Sequence, residues 1–186
     1  CLHEHIRIAD WFYLYFTENN GMAFGVELFD KIFLTIFRII AVGLIGYYIC
    51  KIVKRDYKLG YLLAIAALWA GAFGNIIDCA FYGICFDSSA YQIASFMPED
   101  GGYASLFYGR GVDMLYFPLV DTELPTWIPW FGGRHFTFFD AVFNVADSAI
   151  TVSIVYLILF ERAILKKEFG EDKKEPVQEE EVSHEA

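Results

Sequence analysis

The sequence predicts a membrane α-helical bundle with a small extracytoplasmic β-element, and three observations carry that prediction. Apolar residues fill 56% of the 186 positions, above the roughly 45–50% usual for soluble domains. Three stretches, about 32–50, 59–77 and 141–160, are apolar over close to the ~20 residues a helix needs to cross a bilayer. Basic residues gather at Lys51, Lys54, Arg55 and Lys58 after the first stretch, and at Arg162, Lys166 and Lys167 after the third. Such clusters mark cytoplasmic ends.

Taken in order, residues 1–30 lack the basic region followed by an apolar run that makes a signal peptide. Ile6 to Phe16 is aromatic and β-branched with partial alternation, which predicts a strand. FTENNGMAFG then has loop composition. The first span is broken only by Arg38, read as paired or snorkelling. The second closes on Gly74, Asn75 and Asp78. Residues 79–140 form a long outer segment with Gly101-Gly102 and Gly132-Gly133, and Trp11, Trp127 and Trp130 suit an interfacial belt. The third span carries Asn144, Asp147 and Ser148 near its start. Residues 1–165 are expected to be one domain, and the charged tail 166–186 a disordered cytoplasmic extension.

The basic clusters put both span ends on the cytoplasmic side only if residues 1–30 and 79–140 lie outside. A chain that starts outside at Cys1 then calls for a preceding inside-to-outside helix. The expectation is three spans here and four in the intact protein, both ends cytoplasmic.

Composition also narrows function. The net charge is −10, and no basic stripe is available for nucleic acid. There is no phosphate-loop pattern. Cys1, Cys50, Cys79 and Cys85 show no CxxC spacing, and Cys79 and Cys85 read as unpaired apolar residues in preference to a disulfide. His3, His5, His135 and His184 are scattered, so neither a metal site nor a cofactor is expected.

Polar clusters instead sit at the outer ends of the apolar runs: Asn19-Asn20-Gly21, Gly74-Asn75 with Asp78, and Asn144 with Asp147. A carboxylate at a membrane boundary is costly and marks a functional site by default. Asn75 and Asp78 are spaced to share a helix face, as are Asn144 and Asp147. Asp113, in GRGVDMLYFP, is a further isolated acid. Two carboxyls sharing a low-dielectric site cannot easily both ionise, and such a pair can activate water against an amide without a metal. Taken singly, Asp78 reads equally as a helix-end acid, Asp113 as a loop acid, and Asn75 and Asn144 as interhelix hydrogen-bonding residues.

NNGMAF (19–24), GAFGNIID (71–78), GVDM (111–114) and FNVADSAI (143–150), in this order, resemble lipoprotein signal peptidase, or signal peptidase II. The resemblance covers roughly residues 5–165. It implies a four-span bacterial aspartyl endopeptidase of the cytoplasmic (inner) membrane, with its active site on the extracytoplasmic side. Its substrates would be prolipoproteins, cut before a diacylglyceryl-modified cysteine. It further implies that Asp113 and Asp147 are catalytic, and that Asn19, Gly21, Asn75, Asp78 and Asn144 support the site or bind substrate. Membrane lipid would help hold the acyl chains, and the protein is expected to be a monomer.

Three departures stand out. Where the family usually has arginine directly after G-N-x-x-D, this chain has Cys79, with Arg110 or Arg134 as candidate substitutes. About 25 residues, Ile84 to Arg110, replace a short link, which predicts an enlarged outer cap. The family's first span has no counterpart here. Two rivals from other classes are a small membrane transporter or proton-relay subunit using Asp147 and Asp78, and a non-enzymatic scaffold that binds lipoproteins. The first predicts a polar file through the membrane, yet after Ser148 only Thr151 and Ser153 are polar in that span.

Overall fold

A computed structural model describes residues 2–19 and 31–170. The N-terminal stretch is a hairpin where one strand was expected: β1 (His5–Ala9) turns at Asp10 and Trp11 into β2 (Phe12–Asn19). β2 keeps going through Phe16 to Asn19, which the composition assigned to a loop, because β3 (Gly111–Tyr116) pairs with it there. Thr17 faces Asp113 and Asn19 faces Gly111 in that antiparallel register. With the short β6 (Val142–Phe143) on the other side of β3, the sheet has the order β1-β2-β3-β6. A separate two-stranded sheet joins β4 (Val120–Glu123) to β5 (His135–Phe138).

Beneath the sheet lie the helices α1 (Lys31–Ile52), α2 (Leu59–Cys85) and α3 (Val145–Phe160). α2 packs against both α1 and α3. Its 27 residues run past the expected end near Ile77, since no proline intervenes and the following AFYGIC is apolar. α1 and α2 are each long and apolar enough to cross a membrane. α3 is shorter, 16 residues, or about 24 Å at the helical rise. It qualifies only together with α4 (Arg162–Phe169), which turns away from it by 90°. Two or three spans are therefore supported among the described residues.

The buried centre is small: Ile52, Tyr61, Ala64, Ile65 and Leu157, with the Tyr48 and Tyr61 hydroxyls 2.7 Å apart. Meanwhile Phe33, Ile36, Phe37, Ile40, Leu44, Val152, Val155 and Leu159 all stay exposed. In water this would be an unusually large apolar surface; in hydrocarbon it is the solvated one. Where helices do touch, small residues permit it. A Cβ on Gly71 would lie 2.5 Å from the Ala146 carbonyl oxygen, so the α2–α3 approach depends on glycine.

The segment after α2 folds into a cap that is stitched back onto the helix end. Met97 N donates to Cys85 O (2.7 Å), Ala104 N to Gly83 O (2.9 Å) and Gly109 N to Cys79 O (3.0 Å). The first two bonds satisfy carbonyls that a helix C-terminus would otherwise leave open. The third lays Gly109 on α2 just before β3 begins, where an added Cβ would meet Gly83 N at 2.7 Å. Cys79 and Cys85 are both on α2 and both free.

Candidate active site

Asp113 lies midway along β3, where side chains alternate between faces. Gly111 and Asp113 look into a cavity over the helices, while Val112 and Met114 line a different one behind the sheet, under the outer cap. Antiparallel pairing brings the end of β2 alongside, and Asn19 Nδ2 donates to Asp113 Oδ2 at 2.9 Å. Asp113 is only 2% exposed.

Asn144 follows β6 directly and is the N-cap of α3, not part of its face. The sequence spacing suggested a shared helix face with Asp147; the link is instead a capping bond. Asn144 Oδ1 accepts from Asp147 N at 2.8 Å, the usual service of an N-cap amide. Its Nδ2 reaches across to Asp113 Oδ1 at 2.9 Å and stands 3.5 Å from Asn75 Oδ1. Asp147 sits in the first turn of α3, where the helix dipole favours a carboxylate. Asn75, held on α2, donates to Asp147 Oδ1 at 2.8 Å. Three asparagines from β2, α2 and the start of α3 thus tie the two carboxyls into one network.

The half-open cavity has a volume of about 30 Å³ and is lined by Asn19, Arg38, Asn75, Cys79, Gly111, Asp113, Asn144 and Asp147. Burial pushes the Asp113 carboxyl above its ordinary range; donation from Asn19 opposes this, the charge of Asp147 adds to it, and donation from Asn144 again opposes.

Of the residues singled out in the sequence, Asn19, Asn75, Asp113, Asn144 and Asp147 come together here. Gly21 lies outside the described residues. Asp78 remains on α2, but its carboxylate is hydrogen-bonded to Tyr82 and it is absent from the cavity lining. Neither candidate substitute for the missing arginine reaches the site. Arg110 pairs with Glu18 at 2.9 Å, and both line the cavity behind the sheet. Arg134 lies over the Phe131 ring at 5.6 Å. The cation in the lining is Arg38, which the sequence reading set aside as paired or snorkelling. The signal that could have found it was an arginine inside an apolar span, itself a mark of function.

Comparison with known proteins yields one consistent set. The family profile for signal peptidase (SPase) II matches residues 2–162. A lipoprotein signal peptidase of Porphyromonas gingivalis is 48% identical over 153 residues, spanning 82% of this chain and 68% of its own. Another, of Amoebophilus asiaticus, is 38% identical over 164 residues, spanning 86% of this chain and 65% of its own. A solved bacterial membrane enzyme, determined by the in meso method at 2.3 Å, is similar in fold. It aligns with TM-score 0.55 and 22% identity over 94% of this chain and 79% of its own.

Proposed function

This chain belongs to the signal peptidase II family, aspartic peptidases that remove signal peptides from prolipoproteins, and on that premise we propose that Asp113 and Asp147 are its catalytic pair. The observation that carries the proposal is their meeting, through Asn144 and Asn75, around one small cavity. At about 30 Å³, the cavity suits a single water, which needs roughly 10–15 Å³ of such volume and two to four polar partners.

The chemistry follows from a pair holding one proton. The ionised carboxylate takes a proton from water as the oxygen attacks the scissile carbonyl, and the protonated partner donates to the carbonyl oxygen. A tetrahedral intermediate forms. Its collapse returns a hydroxyl proton to the partner carboxylate as the carbonyl re-forms, breaks the C–N bond, and passes the water-derived proton to the leaving amine. The pair again holds one proton. Asn19, Asn75 and Asn144 orient the carboxyls without titrating themselves. Asp78, held by Tyr82 beside the cavity, supports the substrate backbone and contributes negative charge.

The substrate cysteine carries diacylglyceryl, and its chains lie against the exposed apolar flanks of the bundle, with lipid completing the binding surface. The family is a membrane enzyme, read here as one of the bacterial inner membrane; the basic residues at Lys51, Lys54 and Arg55 and after α3 support an orientation with the site outside. On this reading α3 and α4 together form the third span, residues 1–165 act as one peptidase domain, and the protein works as a monomer. The transporter alternative loses its footing with family membership.

The test replaces Asp113 and Asp147 singly with Asn in the full protein in lipid and follows cleavage of a lipidated prolipoprotein. Each change is expected to lower kcat at least about a hundredfold, the lower range for losing a general acid or base. Asp78→Asn is expected to cost less. Near-normal turnover by either of the first two would refute the pair.

A further inference from the structure

Arg38 stands on α1, about two turns from the first residue of the helix, with its side chain half-buried. A guanidinium inside an apolar span is costly unless something gains from it. Its Nη1 lies 3.8 Å from the Sγ of Cys79 on α2, and both side chains line the cavity that holds Asp113 and Asp147. The position Arg38 meets is also the one where the family resemblance calls for arginine and this chain has cysteine.

We propose that Arg38 is a positioning residue for the reaction, supplying from α1 the positive charge that keeps one carboxyl of the pair ionised. This rests on the reading of Asp113 and Asp147 as the catalytic pair. The charge balance around the cavity explains why a cation is needed. From β3 comes Asp113, from α3 Asp147, and from α2 the neighbouring Asp78 with its partner Tyr82, together with the Cys79 thiol. β2 offers Asn19 to the cavity and turns Glu18 to the other face, where Arg110 meets it. Three acids and burial all favour protonation, and the asparagine amides carry no net charge. A pair driven to hold two protons has no base to activate water. A nearby opposite charge favours the ionised form of a carboxyl, and Arg38 shares its cavity with both carboxyls of the pair.

The experiment compares Arg38→Gln and the charge-relocating double variant Arg38→Gln/Cys79→Arg with the unmodified full chain in lipid. Cleavage of a lipidated prolipoprotein is measured against pH and normalised to folded protein. Arg38→Gln is expected to lower kcat about tenfold or more at neutral pH and to move the acidic limb of the profile upward by about one pH unit. The double variant is expected to bring the limb back. Loss of folded protein with an unmoved limb would make Arg38 merely structural and overturn the proposal. So would a folded double variant whose limb stays displaced, which decides the matter if Arg38→Gln alone does not accumulate. Asp113→Asn and Asp147→Asn run alongside: their inactivity with an unmoved Arg38→Gln profile sinks only the role of Arg38, whereas their activity sinks the pair itself.

Discussion

Asn144 makes two contacts that can be separated by mutation. Its Oδ1 caps α3 at Asp147 N (2.8 Å), and its Nδ2 donates to the Asp113 carboxyl (2.9 Å). Removing an N-cap costs about 0.5–2 kcal/mol, and losing a hydrogen bond to a charged group about 1.5–3 kcal/mol. One side chain makes both, so the values do not simply add. Asn144→Ala is expected to destabilise by about 2–4 kcal/mol. Asn144→Ser keeps an oxygen able to cap but has no donor that spans to Asp113, and should recover only the capping share, about 1 kcal/mol.

The assay pairs reversible unfolding in mixed micelles with cleavage rates across pH. The Asn144 amide is one of the donors that hold the Asp113 carboxyl down against burial. Both variants should therefore push it further up, carrying the acidic limb of the rate profile with it. The sign for stability follows. A carboxyl whose folded pKa lies above its unfolded value favours folding when protonated. That contribution is full below the unfolded pKa of about 3.9 and is lost as pH rises through the folded value. The deficit of Asn144→Ala should thus shrink in acid and widen toward neutrality. If Asn144→Ser restored both stability and the rate profile, the bond to Asp113 would be irrelevant and the reasoning wrong.

Two further outcomes test how the scaffold holds the site. Gly71→Ala places a Cβ 2.5 Å from the Ala146 carbonyl oxygen, beside the Asp147 turn. It should cost about 1–3 kcal/mol by overpacking and reduce turnover, whereas Gly43→Ala, with nothing within 4 Å, should leave both unchanged in the same micelle assay. Gly109→Ala puts its Cβ 2.7 Å from Gly83 N and 2.8 Å from Asp78 O, pushing the entry to β3 off α2. It should lower kcat more than KM, because Asp113 shifts while the apolar flanks stay in place.

How far the sequence could be read depended on the range of the interaction. Apolar runs reveal α1 and α2 because burial in lipid needs no partner from elsewhere in the chain. They misplace the end of α2, since nothing local marks Cys85 as its stop; the cap that folds back on Gly83 and Cys79 does. The hairpin at Asp10 and Trp11 was hidden in a composition equally suited to one strand. Asp147 and Asn75 were visible as costly polar groups at span ends. Asp113 was visible only as an isolated acid, and its meeting with Asp147 was legible only through resemblance, because strand pairing with β2 and the Asn144 bridge bring the two together. Arg38 was read as paired or snorkelling, and it does meet Cys79, but that partner was not legible: the contact spans two helices, and helix rotation is not written in spacing.

The three amides bear on why the site is assembled this way. Each carboxyl is held by asparagine: Asp113 by Asn19 and Asn144, Asp147 by Asn75. Lysines in those places would stabilise two ionised carboxylates, removing the proton that one member must donate. Apolar residues would leave the buried Asp113 carboxyl unsatisfied. On the proposed mechanism, amides fix direction while leaving the shared proton to be decided by burial, by mutual repulsion and by Arg38. Because the donors come from β2, α2 and the cap of α3, the arrangement exists only when the sheet is docked on the helices. On that reading, docking of the sheet and readiness for catalysis are one event, and a variant that loosens the Gly109 contact should lose activity before it loses its helices.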